Sequence, residues 1–240
     1  MKSNFRPIAF FFVALVLIHA GCNSETSTSS EWPRARNVIL FLADGTGIPT
    51  LNAASIYGYG EPQKLYLQQM PHLALSDTSA ADSWVTDSGA GMTAVMTGVK
   101  TNRGVISQSA DAVRGEKDGE ALKTLLEYAE ERGLSTGVVS NSSMSDATPA
   151  ACYADSNDRG KQGYIFAQIL KPRFGNGIDV VIGPGRERIL EETAQMGTDI
   201  AAGLKQSGYE FVDNQNALAE AAGRTDRLIA LYPLYRRSFL

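Results

Sequence analysis

Asp87 and Ser88 stand at the head of a run built largely of small residues, in WVTDSGAGMTAVMTGVKTNRGVIS from Trp84 to Ser107. The spacing predicts a helix over Gly89 to Thr97 with Ser88 at its N-terminus. A helix start presents unpaired N–H groups and the positive end of the dipole, so it favours an anion. Its glycines and alanines let a bound group approach the backbone. Aspartate and serine at that place also serve as ordinary caps, and this stretch alone favours the cap. The second candidate is Asp44, which ends the apolar run in NVILFLADG (Asn37 to Gly45). A carboxylate there is either a turn residue or a metal ligand that needs partners.

Such side chains need a frame. A near-continuous apolar run followed by turn residues, as in Asn37 to Gly45, reads as a strand of a parallel sheet covered on both faces. Leu122 to Gly133 has helical spacing and a glycine stop. Ser135 to Ser142, Asp179 to Gly185 and Asp226 to Tyr232 read as further buried strands. TDIAAGLKQSGYEFVD gives a helix, a glycine stop and another strand. Strands alternating with helices predict an α/β sandwich with a mostly parallel sheet. Chemistry in such sheets collects at the carboxyl ends of the strands. Asp44 and the loop Ser140 to Asp146 fall at two such ends.

The chain has 240 residues, 43% hydrophobic, enough for a substantial core. Its formal net charge is -4 with acids and bases interspersed. Nucleic acid is therefore not an expected partner, since that calls for a clustered basic face. Residues 1–21 read as a signal peptide. Lys2 and Arg6 precede IAFFFVALVLIHA, which is too short for a comfortable membrane span. HAGC resembles a bacterial lipoprotein cleavage box, with His19 where leucine is usual, and would make Cys22 a lipidated first residue. The alternative is a plain secretory signal with a stray cysteine. Both readings export the chain, to the periplasm or to a membrane anchor. Residues 22–36, rich in serine and threonine, read as a flexible tether. Cys152 is the only other cysteine, read as a small buried residue on a helix face, and no internal disulfide is expected.

The segment around Ser88 closely resembles the nucleophile segment of the alkaline phosphatases. That pattern is an aspartate-serine pair, small residues, then Thr-Gly-x-Lys-Thr. Here it stands as Asp87, Ser88, Gly89, Ala90 and TGVKT (Thr97 to Thr101). The resemblance implies that Ser88 attacks phosphorus and becomes phosphorylated, with Asp87 in support. NVILFLADG looks like the family's first strand, which implies that Asp44 bridges a zinc and the magnesium. TGVVSNSSMSDATPAACYADSNDRG looks like the next block, whose Asp-Ala-Thr-Pro is Asp146 to Pro149. By that likeness Asp146 and Thr148 ligate magnesium, which suits hard oxygen donors. Arg159 matches the arginine that grips two phosphate oxygens, a task for a planar fork. The bland reading of Arg159 is a surface charge at a helix end.

The resemblance implies hydrolysis of small phosphate monoesters with two zinc ions and one magnesium. One zinc would lower the pKa of the Ser88 hydroxyl, and the other would stabilise the leaving oxygen and then supply hydroxide. No histidine stands near Ser88 in sequence, which fits metal activation better than a Ser-His-Asp triad. The Cys/Ser-x-Pro-x-Arg core of sulfatases is absent. The implied fold is the family's three-layer sandwich, and a homodimer is implied in that many relatives form one.

The resemblance covers Asn37 to Tyr232. The family's remaining ligands, a glutamate for magnesium and the aspartates and histidines for zinc, lie in its second half. The chain has two histidines, His19 in the leader and His72, which matches no zinc position. Residues 37–232 are therefore expected to form the N-terminal part of the domain, with the sheet incomplete on its C-terminal side and the activity impaired. An incomplete sheet would expose an edge and an apolar face. Residues 233–240, PLYRRSFL, resemble nothing in the family and read as a natural C-terminus, a truncation or a frameshift. The alternative function is an inactive exported lipoprotein that keeps a phosphate-binding pocket.

Overall fold

The computed structural model describes residues 35–233, in two units, 35–43 and 44–233. The signal peptide, Cys22, the tether up to residue 34 and residues 234–240 of the tail lie outside the described residues. In the larger unit, α1 (Ile48–Tyr59), α2 (Ser88–Thr97) and α3 (Leu125–Glu130) precede the first strand, β1 (Gly137–Val139). Then follow α4 (Ala147–Ala150), α5 (Gln162–Ala167), β2 (Val180–Pro184), α6 (Arg186–Gln195) and α7 (Ile200–Gln206). The chain goes on through β3 (Glu210–Val212), α8 (Gln215–Ala221) and β4 (Leu228–Tyr232). Single 3-10 turns occupy Tyr66–Gln69 and Gln168–Leu170. No helix among the described residues is long and apolar enough to cross a membrane.

The four strands form one parallel sheet in the order β1-β2-β4-β3. Side chains alternate between its faces. Val181, Ile229 and Leu231 point to one side, where Phe166 of α5, Ile189 of α6 and Ile200 and Leu204 of α7 cover them. Leu228 and Ala230 point to the other side, against Ala217, Leu218 and Ala221 of α8. Helices thus lie on both faces, and β4, in the interior of the sheet, buries Leu228 through Leu231. That double burial is why its sequence is continuously apolar rather than alternating.

Local signals set the helix ends. Thr124 and Glu127 form a reciprocal capping box at the start of α3: Glu127 N–H donates to Thr124 Oγ1 at 3.2 Å and Thr124 N–H to Glu127 Oε2 at 2.8 Å. Gly133 takes φ +67 just beyond that helix. A third core joins Met92 and Met96 of α2 to Ile106, Ala147, Ala150 and Cys152. The small residues bring α2 and α4 together. Cys152 is buried there as expected, but in the turn after α4 and not on a helix face, and burial pushes its thiol up to about 12.

One expected element is absent. Residues 37–43 form no strand. A strand needs a neighbour to complete its ladder of hydrogen bonds, and apolar character supplies none. Asp44 therefore sits in a turn with Gly45 at φ +64, not at a strand end.

Candidate active site

The site begins at the start of α2. Asp87 takes extended backbone angles and caps the helix, its Oδ1 accepting from Ala90 N–H at 3.0 Å. Its Oδ2 faces the other way and accepts from Gly104 N–H at 3.0 Å and from Arg159 Nη1 at 2.9 Å. The cap reading of Asp87 is thus correct, and the same carboxylate also anchors an arginine. Ser88 is the first residue of the helix, half-buried, with Arg159 Nη1 donating to its Oγ at 3.1 Å. Gly89 follows at a tight place: a β-carbon there would lie 3.0 Å from Val105 O. That approach keeps the Ser88 end of α2 close to the 102–106 loop.

Arg159 gathers the rest. Its backbone N–H donates to Gly104 O at 2.8 Å, and its Nη2 donates to Asp146 Oδ1 at 3.1 Å. Asp146 caps the short α4 through Ala147 N–H at 2.9 Å, and its Oδ2 accepts from Ser142 Oγ at 2.9 Å. One guanidinium therefore joins the adjacent Asp87 and Ser88 to Asp146, far away in sequence. Its side chain keeps 25% exposure, so it still meets solvent on one side.

Burial and charge oppose one another here. Burial pulls the Asp87 carboxyl upward, but Ala90 N–H, Arg159 and Gly104 N–H together hold it below the usual value. Burial acts on Asp146 in the same way, and Ala147 N–H, Ser142 and Arg159 outweigh it. Burial disfavours the charged Arg159, yet the two carboxylates raise its pKa further. All three groups are held ionised.

Asp44 and Thr148 form a separate contact. Thr148 Oγ1 donates to Asp44 Oδ2 at 3.0 Å, and Asp44 is exposed. Thr148 lies two residues from Asp146, in the helix that Asp146 caps, and its hydroxyl is the group of that stretch that meets Asp44. Every donor in this set is oxygen, the kind a hard cation takes. His72 is exposed on the stretch before α2. Among the described residues no three His, Cys, Asp or Glu side chains converge as a metal-holding group. The donors fit part of a magnesium shell and do not fit a zinc shell, which needs nitrogen or sulfur donors as well.

Sequence reasoning missed two members. Ser142 orients Asp146, and Gly104, at φ +80, serves Asp87 with its N–H and Arg159 with its carbonyl. Gly104 lies within the Trp84 to Ser107 stretch, but its φ and its approach to Asp87, 17 residues away, are set by the fold. Ser142 carried no signal.

A half-buried serine at a helix start and an arginine clamped beside it are carried on a domain of the α/β type with a parallel sheet. The model of the family described as alkaline phosphatase matches residues 35–233, and the chain belongs to that family. It is 32% identical over 210 residues to alkaline phosphatase 4 of Drosophila melanogaster, covering 78% of this chain and 35% of the relative. It is 32% identical over 233 residues to streptomycin-6-phosphate phosphatase of Streptomyces griseus, covering 86% and 50%. It is 31% identical over 231 residues to alkaline phosphatase 4 of Bacillus subtilis, covering 91% and 48%. Among solved structures, a cold-active alkaline phosphatase from a psychrophilic Shewanella superposes with a TM-score of 0.66 at 25% identity, covering 80% of this chain and 45% of that one. The Thermus thermophilus enzyme gives 0.63 at 27%, covering 77% and 36%. The chain spans half or less of the length of these relatives.

Proposed function

We propose that this domain serves the hydrolysis of small phosphate monoesters through a phosphoserine on Ser88. The observation that carries the reading is the bond from Arg159 Nη1 to Ser88 Oγ, 3.1 Å long, made by a guanidinium already fixed by two carboxylates. A guanidinium only donates, so it steadies the Ser88 alkoxide rather than receiving its proton. The same fork suits phosphate oxygens, and the α2 start adds its N–H groups and dipole. Ser88 attacks phosphorus, the alcohol leaves, and water then cleaves the phosphoserine to release phosphate and restore the hydroxyl.

Asp44, Asp146 and Thr148 would hold a magnesium ion. Bound cations would supply positive charge that eases deprotonation of the serine and stabilises the leaving oxygen. A variant of the TAB5 alkaline phosphatase, 27% identical with a TM-score of 0.63, is described with Mg bound. Zinc belongs to this reading only with donors beyond those described. Export, a lipid tether through Cys22, the domain limits at 37 and 232, and a homodimer complete the proposal; the leader and Cys22 rest on sequence alone.

The test is release of phosphate from an aryl phosphate by the purified chain with zinc and magnesium supplied. Turnover above the no-enzyme rate that Ser88→Ala removes supports the reading. Phosphate binding without turnover favours instead the exported binding protein.

A further inference from the structure

Arg114 is a guanidinium outside the cluster described above that lies against its wall. It is carried on a turn closed by Val113 N–H to Lys117 O and Lys117 N–H to Val113 O, both 2.9 Å. Asn102 Nδ2 fixes the loop by donating to Ala110 O at 2.9 Å and Ala112 O at 3.0 Å. Gly115 N–H donates to Asn157 O at 3.2 Å and ties the turn to the segment that bears Arg159. The Arg114 side chain packs on Gly104, where a β-carbon would fall 2.9 Å from Arg114 Cζ. Gly104 is the residue whose N–H holds Asp87 and whose carbonyl holds the Arg159 backbone. Arg114 Nε donates to Asp158 Oδ1 at 3.0 Å, its one side-chain hydrogen bond among the described residues. The side chain stays 54% exposed.

A surface arginine normally loses much rotamer freedom when it grips a ligand. Here the stem is packed and one edge is tied, so most of that loss is already met. The terminal nitrogens remain available to an anion, and a guanidinium pairs carboxylate and phosphate oxygens alike. We infer that Arg114 forms an accessory anion subsite beside the Ser88–Arg159 site, which favours phosphate monoesters whose alcohol carries a second anionic group, a carboxylate or another phosphate. The inference rests on the phosphatase reading for the identity of the first anion. The competing role for Arg114 is to pin the 113–117 turn and nothing more.

Two non-hydrolysable probes of similar size separate these roles on the full chain, by calorimetry with zinc and magnesium present. Propylphosphonate carries one anion and 3-phosphonopropionate carries two. The subsite predicts that 3-phosphonopropionate binds about tenfold tighter, the worth of one charge-assisted hydrogen bond. Arg114→Gln should erase that preference, and Arg114→Lys should keep part of it. Equal binding of the two probes overturns the inference, as does binding of neither, or a preference that survives Arg114→Gln. Equal weakening of both probes in Arg114→Gln, with a lower melting temperature, assigns Arg114 to pinning the turn and also overturns it. Phenyl phosphate turnover is read separately. Its absence beside an intact preference sinks the phosphatase reading and not the subsite, and turnover without preference does the reverse.

Discussion

The two sides of the candidate site are built differently. On one side Arg159 ties Asp87, Ser88 and Asp146 in a half-buried network, and each carboxylate also accepts backbone N–H bonds. On the other, exposed Asp44 meets Thr148 through a single hydrogen bond. The first side is fixed by the protein's own charges, so its geometry exists before any ligand arrives. The second is a pair of oxygen donors held by little else. Preorganised charge is what phosphoryl transfer rewards, whereas ligands for a hard cation need only be brought within reach.

The largest expected effect comes from Ser88→Ala, which takes the reacting atom from the tied side. Whatever phosphate release the chain shows should fall to the no-enzyme rate. The melting temperature should hardly move, because the carboxylate bonds to Arg159 survive. Steady-state assay beside a thermal melt checks both.

Arg159→Ala attacks the network itself and strands two carboxylates. After allowance for partial exposure we expect a loss of about 2 kcal/mol in urea denaturation. The pH dependence has a definite sign. Asp87 and Asp146 titrate below their unfolded value of 3.8. Their stabilising contribution is present above that pH and is lost as the pH falls through the lower folded values. Wild type should therefore lose more stability than Arg159→Ala below pH 4.

Glu130 supplies the contrast, a buried carboxylate with no arginine clamped on it. Burial pushes it up to about 6 from 4.5, although Thr136 Oγ1 donates to it at 3.0 Å and pulls the other way. The folded state keeps a proton that the unfolded chain releases, so stability falls as pH rises from 4.5 to about 6 and stays lower above. Glu130→Gln retains an acceptor for Thr136 and should stabilise the fold at pH 7 by roughly 2 kcal/mol. The gain should vanish near pH 4. A gain independent of pH would contradict the burial argument.

The smallest structural effect belongs to Thr148→Val on the loosely held side. Urea denaturation should register less than about 1 kcal/mol. Magnesium affinity, read by calorimetry, should fall about tenfold. A stability loss equal to that of Arg159→Ala would erase the distinction between the two sides.

The sheet was legible where apolar runs are continuous, although only β4 is buried on both faces: β2 alternates, and β1, expected as a buried strand, is an exposed edge. Val180–Pro184 and Leu228–Tyr232 are continuous apolar runs that lie within their predicted stretches. The same signal failed at Asn37 to Gly45, because pairing is a property of the neighbour and not of the run. Helix α2 was legible from its small residues, and it begins at Ser88, one residue before the predicted start. α1 went unread, since Ile48–Tyr59 has one buried residue, Ser55, and so no apolar stripe to betray it. In the site, Ser88 stood out from its place at a helix start, and the resemblance to the family pointed to Asp146, Thr148 and Arg159. Neither could show that Arg159 would bond Asp87 and Asp146 at once, because that depends on how the loops at 104 and 142–146 meet.

The central claim is that Ser88 carries the phosphoryl group. Its most direct test is acid quenching of the chain during turnover of a radiolabelled phosphate ester, followed by mapping of the labelled peptide. The account predicts phosphoserine at Ser88 and no label in Ser88→Ala. Phosphate release with no label on Ser88, or with label on another residue, would contradict it.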